Sequence, residues 1–265
     1  MTQANLFADD PVQRMNWAPS RHAGLERLKQ FQPLAGAHYA KTRNFDMGIE
    51  DRSNVSCLSP WIRSRSILEE EVLAHILQRY DVNGAEKFIQ EVFWRGYFKG
   101  WLEHRPSVWQ DFCQDLAAFH HQLAADEDLN TRHQAAIEGR TGIACFDHWT
   151  RELIETGYLH NHARMWFASI WIFTLRLPWQ MGAGFFLTHL LDGDPAANTL
   201  SWRWVGGLHT KGKNYLARAD NIQRCTQGRF NPAGQLDESA VPLWEDLERP
   251  RLPRGQQASW QSPQR

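Results

Sequence analysis

The residues with the clearest chemical potential lie in the stretch 191–204, which holds Asp192, Asp194, Asn198, Trp202 and Trp204. Asp192-Gly193-Asp194-Pro195 predicts a turn followed by a helix start: Gly193 permits positive φ, Asp194 suits the N-cap and Pro195 the first helical position. Asn198 lies one turn further in and Trp202 another, so Asp194, Asn198 and Trp202 share one helix face. An acid, an amide and an indole on one wall suit a flat heterocycle with hydrogen-bonding edges and a π surface. Taken singly, each residue has a plainer alternative as a cap, a local hydrogen bond or core packing.

Three other groups carry chemistry. Glu91, Trp94 and Arg95 fall within one turn of each other on an apolar helix predicted over 85–103, and make either an ordinary ion pair or one wall of a nucleobase or flavin pocket. Ser56-Cys57-Leu58-Ser59-Pro60 has a helix-start signature with Ser59 as N-cap, where hydroxyls and free N–H groups form an anion site; a simple cap is the alternative. A helix after the joint at Thr156-Gly157-Tyr158 carries His160, Asn161, His162, Arg164, Met165, Trp166 and Trp171. No His-Glu-x-x-His pattern is present and His-Asn-His is weak evidence for a metal, so no metal ligands are assigned. The glycine-rich basic loop 205–213 has neither a dinucleotide-fold nor a P-loop spacing.

The chain that must position these residues has 265 of them, enough for a full hydrophobic core, and an unusual 13 tryptophans. Its 29 basic and 30 acidic residues leave a net charge of −1, so any contact with nucleic acid is local. Cys57, Cys113, Cys145 and Cys225 are widely spaced and read as reduced thiols. There is no apolar leader or long apolar run, so a soluble, cytoplasmic protein is expected.

Ser20 is expected to cap a helix carrying Leu25, Leu28 and Phe31, ended by the turn 33–36. A loop is predicted over 39–55, then a helix with Ile62, Ile67, Leu68, Val72, Ile76 and Leu77, and further helices over 85–103 and 107–125. The acidic stretch 125–131 reads as a loop, and 146–177 as two helices. No period-2 pattern appears, which predicts an all-α fold. The expected organisation is an arm at 1–19, a helical domain at 20–235 and a loosely attached tail at 236–265.

Several segments together resemble the FAD-binding helical domain of the photolyase and cryptochrome family, in the same order over 39–204. They are Tyr39-Ala-Lys-Thr-Arg43, Ser56-Cys-Leu-Ser59-Pro60, Glu91-Val-Phe-Trp94-Arg95, Thr141-Gly142, Gly157-Tyr-Leu-His-Asn-His-Ala-Arg-Met165, and Asp192-Gly-Asp-Pro-Ala-Ala-Asn198 with Trp202 and Trp204. The resemblance implies FAD as cofactor. Tyr39, Ser56, Leu58 and Ser59 would hold its phosphates, and Arg95 would reach it from the third helix. Asn161, Arg164, Asp192, Asp194 and Asn198 would surround the isoalloxazine, with Arg164 paired to Asp192 and Asn198 facing N5. Glu91, Trp94 and Met165 match residues that contact a cyclobutane pyrimidine dimer flipped out of DNA. Enzymes for six-four photoproducts carry histidines at the positions of Asn161 and Met165. The implied reaction is light-driven: the reduced flavin injects one electron into the dimer, the ring opens and the electron returns.

The chain departs from the family pattern in four respects. The flavin domain begins by Tyr39, with no counterpart of the N-terminal α/β antenna domain. Tyr158 stands where a second dimer-contacting Trp is expected. Of the three-tryptophan electron chain, Trp202 (proximal) and Trp179 (middle) match, and the distal position, placed near Asp126, has no Trp; Trp166, Trp171 and Trp204 are candidates for another exit. The segment after Trp204 follows a different sequence, with Lys211 and Lys213 free for another contact. The functions implied are repair of dimers in DNA, single-stranded DNA included, and, as the alternative, a cryptochrome-like blue-light photoreceptor or redox-signalling flavoprotein with a protein partner. A tryptophan-rich scaffold without cofactor is the blandest reading.

Overall fold

The computed structural model describes residues 17–210 and 212–243; residues 1–16 of the arm expected over 1–19, Lys211 and the stretch 244–265 lie outside the described residues. Helix α1 (Arg21–Phe31) starts where predicted, with the Ser20 hydroxyl accepting the Ala23 N–H at 3.2 Å and with Leu28 and Phe31 buried. A 3-10 turn, Gln32–Leu34, leads to α2 (Ala37–Thr42). This helix corrects the loop predicted from 39 onward: its 6 residues are too few to show a period, and it puts Tyr39 on a helical face. In α3 (Ser59–Arg63) the serine is the first helical residue, and Leu58 precedes it without a side-chain cap, so Ser59 is not the N-cap that the sequence suggests. After α4 (Glu69–Leu77) come the two 18-residue helices α5 (Glu86–Glu103) and α6 (Pro106–Leu123), separated because Pro106 cannot continue α5 but fits the first turn of α6.

The acidic stretch predicted as a loop starts α7 (Glu127–Ile137). Asp126 accepts the Leu129 N–H at 2.9 Å, and Glu127 and Asp128 sit in the first turn, where carboxylates oppose the helix dipole. Helix α8 (Ala144–Thr156) buries Cys145, Phe146, Trp149 and Leu153 at helical spacing. Its entrance is pinned by Asp147, whose carboxylate accepts from the Thr141 N–H and hydroxyl and the Gly142 N–H at 2.8, 2.7 and 3.0 Å. Its end is Gly157 at φ 69°, where a side chain would strike Leu191. Helix α9 (Asn161–Ser169) runs into a π-helical turn, Ile170–Thr174, and is followed by α10 (Trp179–His189), α11 (Pro195–Val205) and α12 (Ala219–Cys225). Every described element is helical, so the fold is all-α as expected.

Two apolar cores form. One, drawn mainly from α1–α5, centres on Phe31, Leu58, Trp61, Ile67 and Phe88; the other, drawn from α6–α12, on Phe146, Trp149, Trp166, Phe167, Trp171 and Trp202. Truncating any of these buried aromatics costs roughly 3–5 kcal/mol, which accounts structurally for much of the tryptophan excess. Part of each expected end segment packs on a core. Trp17 packs on Trp61 and Tyr158 at ring separations of 5.5 and 5.2 Å. At the other end Leu236, Ala240 and Leu243 pack on the second core, and the Leu243 N–H reaches the Gly206 carbonyl at 2.9 Å. Among the described residues no helix is long and apolar enough to cross a membrane.

Candidate functional site

A cavity of about 360 Å³ opens where the two cores meet. One side is supplied by Tyr39, Val55, Ser56, Ser59, Phe88, Glu91, Trp94 and Arg95, and the other by Tyr158, Asn161, Arg164, Met165, Asp192, Asp194, Asn198 and Trp202. Five segments separated in sequence therefore converge on one space. Two of the expected residues stand apart from it. Leu58 is 1% exposed in the first core, with its N–H directed to the Ser56 hydroxyl at 3.4 Å, so its side chain is not a phosphate contact. Trp179 is buried behind the wall, its ring 5.6 Å from that of Phe112.

Helix α11 is built as the sequence predicts. Asp194 caps it, accepting from the Ala196 and Ala197 N–H groups at 3.1 and 3.0 Å, and Asn198 and Trp202 follow on the cavity face. The Asn198 side-chain N–H donates to the Ala183 carbonyl at 2.9 Å, a bond that leaves the Oδ1 acceptor unused by that contact. Trp202 is 2% exposed, and its indole N–H has no hydrogen-bond partner among the described residues. A buried, unsatisfied donor in a cavity wall is costly unless a ligand or water meets it.

The wall is electrostatically ordered. Arg164 Nη1 and Nη2 donate to the two oxygens of Asp192 at 3.1 and 2.9 Å, in the planar fork expected from a bidentate pair. Burial alone raises the Asp192 pKa, but the charge and hydrogen bonds of Arg164, the Ser59 hydroxyl and the nearby Arg95 outweigh it and hold the carboxyl below its ordinary value. Arg95 spans Glu69 at 3.2 Å and Asp194 at 3.4 Å. Glu91 pairs with Arg43 rather than with Arg95, its neighbour in sequence. It is also half-buried on the rim, not a core carboxylate.

Tyr158 does not offer a free face. Its ring is 6% exposed, with the guanidinium carbons of Arg52 and Arg164 at 4.5 and 5.1 Å and the Trp17 ring at 5.2 Å. The exposed indoles at the cavity are instead Trp94, 50% exposed, and Trp204, 36% exposed. Trp204 is thus a rim residue, where the sequence alone suggested little beyond packing or an electron exit. Arg43 also lines the cavity and was not singled out from the sequence, where its place in the Tyr39–Arg43 motif was the available signal. Of the candidate electron exits, Trp171 touches Trp202 edge-on at 6.2 Å, whereas Trp166 is stacked on Trp149 away from the cavity.

The donor set fits a flavin dinucleotide. Its lining combines the hydroxyls of Tyr39, Ser56 and Ser59, the guanidiniums of Arg43, Arg95 and Arg164, the carboxylates of Asp192 and Asp194, the Asn161 and Asn198 amides and aromatic rings. Comparison with known proteins points the same way. Residues 88–264 match the family described as the FAD binding domain of DNA photolyase. The chain is 34% identical over 199 residues to a deoxyribodipyrimidine photo-lyase of Thermus thermophilus, covering 75% of this chain and 45% of that protein. It is 29% identical over 233 residues to the Escherichia coli enzyme, covering 85% and 47% respectively. The chain therefore spans about half the length of the curated relatives it matches. Its fold superposes with a TM-score of 0.64 on the crystal structure of a bacterial class III photolyase from Agrobacterium tumefaciens, at 25% identity over 79% of this chain and 45% of that one. With the match extending over more than half of the sequence, the chain belongs to the family of DNA photolyase FAD-binding domains.

Proposed function

We propose that the chain binds FAD in the cavity and repairs cyclobutane pyrimidine dimers in DNA by light-driven electron transfer. When bound and reduced, the flavin supplies the photochemistry; the protein supplies binding, orientation and electrostatics. Tyr39, Ser56, Ser59 and Arg95 hold the phosphates. Arg164, locked by Asp192, sets the edge of the isoalloxazine, with Asn161 and Asp194 framing it. Asn198, whose amide N–H is held by the Ala183 carbonyl, would offer the flavin an uncharged acceptor. Trp202 in the cavity wall and the buried Trp179 would be the indoles available to pass electrons toward the bound group.

The observation that carries the repair reading is the rim. Two half-exposed indoles, Trp94 and Trp204, border the same cavity as the Glu91 carboxylate and Met165. Indole faces stack on extruded bases, a contact worth about 1–3 kcal/mol per base. A carboxylate beside them can accept from pyrimidine N–H groups. Trp204 takes the second stacking role first assigned to Tyr158, whose faces are covered. The near-neutral chain has little general attraction for duplex phosphates, which favours a substrate whose dimer is already unpaired.

The test is illumination of flavin-loaded, reduced protein with dimer-containing oligonucleotides, single- and double-stranded, with dimers counted before and after. Reversal in the single strand at least is expected; none in either form sinks the proposal. The covered Tyr158 favours a second reading, a photoreceptor that signals through a protein partner. A light-dependent change in oligomeric state or partner affinity, without dimer reversal, would select it.

A further inference from the structure

His162 and Tyr215 have no part in the reading above, yet they form a defined pair beside the cavity. Trp204 lines the cavity, and its outer side is stacked on Tyr215, with ring centroids 5.7 Å apart and planes inclined by 26°. The Tyr215 hydroxyl lies 3.0 Å from His162 Nε2, and His162 Nδ1 lies 2.9 Å from the Asn44 carbonyl. A carbonyl oxygen only accepts, so Nδ1 carries the imidazole hydrogen. Nε2 of the neutral ring is then the acceptor and the phenol O–H the donor. The imidazole is held in this orientation by stacking on Trp166 at 4.1 Å, and that indole is itself fixed by a 3.0 Å hydrogen bond to Asn221.

We infer that Tyr215 is a proton-coupled one-electron donor to the cavity, with Trp204 as its contact to the cavity and His162 Nε2 as its proton acceptor. The inference rests on the reading that the cavity holds a light-excited flavin able to take one electron from Trp204. One electron passes from Tyr215 to the oxidised Trp204, which becomes neutral again. The phenol O–H bond breaks and its proton forms a bond to Nε2, leaving a neutral tyrosyl radical and an imidazolium. Return of the electron restores both groups. Alternatively, a thiol in solution gives a hydrogen atom to the radical, and the imidazolium releases its proton to water.

Geometry favours this use over simple fastening. Any donor and acceptor would tie the segment after Trp204 to α9, whereas this pair also touches a cavity-lining indole and has its tautomer set from behind. Burial holds the His162 pKa below the ordinary imidazole value, partly offset by the Asn44 carbonyl and Asp46, while Arg43 and Arg224 act with burial; the ring is therefore neutral and ready to accept. The route is separate from Trp202, which lines the cavity, and from Trp171, which touches Trp202 edge-on.

The test has two arms on the full chain. In the first, flavin-free protein is oxidised by flash-quenched ruthenium tris(bipyridine), and radicals are identified by electron paramagnetic resonance and transient absorption. Wild type should give a neutral tyrosyl radical that forms more slowly in deuterated water. Tyr215→Phe should lose it in favour of indole radicals, and His162→Gln, which keeps a hydrogen bond but no base, should lose both the signal and the isotope effect. An unchanged tyrosyl signal in either variant overturns the assignment. In the second arm, flavin-loaded protein under blue light with a thiol reductant should show the same radical, lost in Tyr215→Phe and retained in Trp202→Phe; its absence from wild type with flavin bound overturns the link to the cavity. A chain that takes up no flavin sinks the cofactor reading instead, and is recognised beforehand from its absorption spectrum.

Discussion

Arg164 on α9 meets Asp192, in the turn before α11, through two hydrogen bonds of 3.1 and 2.9 Å, and this fork ties together two walls of the cavity. Asp192→Ala would strand a guanidinium that is only 23% exposed. A stability loss of about 3 kcal/mol is expected, because removing one partner leaves an uncompensated charge. Asp192→Asn, which keeps one acceptor, should lose less. Urea unfolding checks the order, and flavin retained after gel filtration checks the second role: both variants should release flavin more readily than wild type.

Asn198 lines the cavity and holds the Ala183 carbonyl with its side-chain N–H. Asn198→Ala removes the acceptor proposed for N5, so reduced cofactor should accumulate more slowly under blue light and reoxidise faster in the dark. Asn198→Asp restores an acceptor but adds a charge, and should alter photoreduction in a pH-dependent way. Absorption spectra during illumination distinguish the three proteins; identical traces would remove Asn198 from the N5 contact.

Gly182 is the point where α10 lets Trp202 and Trp171 meet. A Cβ there would lie 2.3 Å from Trp202 Cη2 and 2.9 Å from Trp171 Cε2, both fixed ring atoms in a filled core. Gly182→Ala should therefore destabilise by roughly 1–3 kcal/mol despite the better helix propensity of alanine. A lower melting temperature together with a changed tryptophan emission spectrum would identify the indole pair as the site of strain.

His133 and His160 are buried, and burial lowers both pKa values to about 4. The unfolded chain binds protons at these sites near the ordinary value of about 6.5, so it gains protons before the fold does. Their contribution to stability is full above about pH 6.5 and falls as the pH drops toward 4, by at most roughly 2 kcal/mol per histidine between pH 6.5 and 5. His160 adds a local reason: its Nδ1 accepts the His162 N–H at the start of α9, a bond that protonation removes. His160→Gln and His133→Gln should flatten the loss in urea midpoint between pH 7 and 5.

Much of this site was legible because its signals are local. Asp194, Pro195, Asn198 and Trp202 lie on one short helix, so capping chemistry and 3.6-residue spacing suffice to place them on one face. The joint at Gly157 and the absence of any alternating pattern similarly decided the helix pair and the all-α class. Short or polar elements escaped: α2 has too few residues to show a period, and α7 hides its start in acids that serve equally well in a loop.

What the linear order of residues determined is therefore the helical class, the family motifs and the identity of the polar groups available for a flavin. Only the tertiary structure decided their partners. Glu91 pairs with Arg43, 48 positions away, and not with the adjacent turn's Arg95; Tyr158 is covered by Arg52 and Arg164; Trp204 reaches the rim. The physical reason is that helix periodicity states which side chains share a face, whereas ion pairing and exposure depend on which other helix packs against that face. That second choice is made by the two cores closing around the cavity.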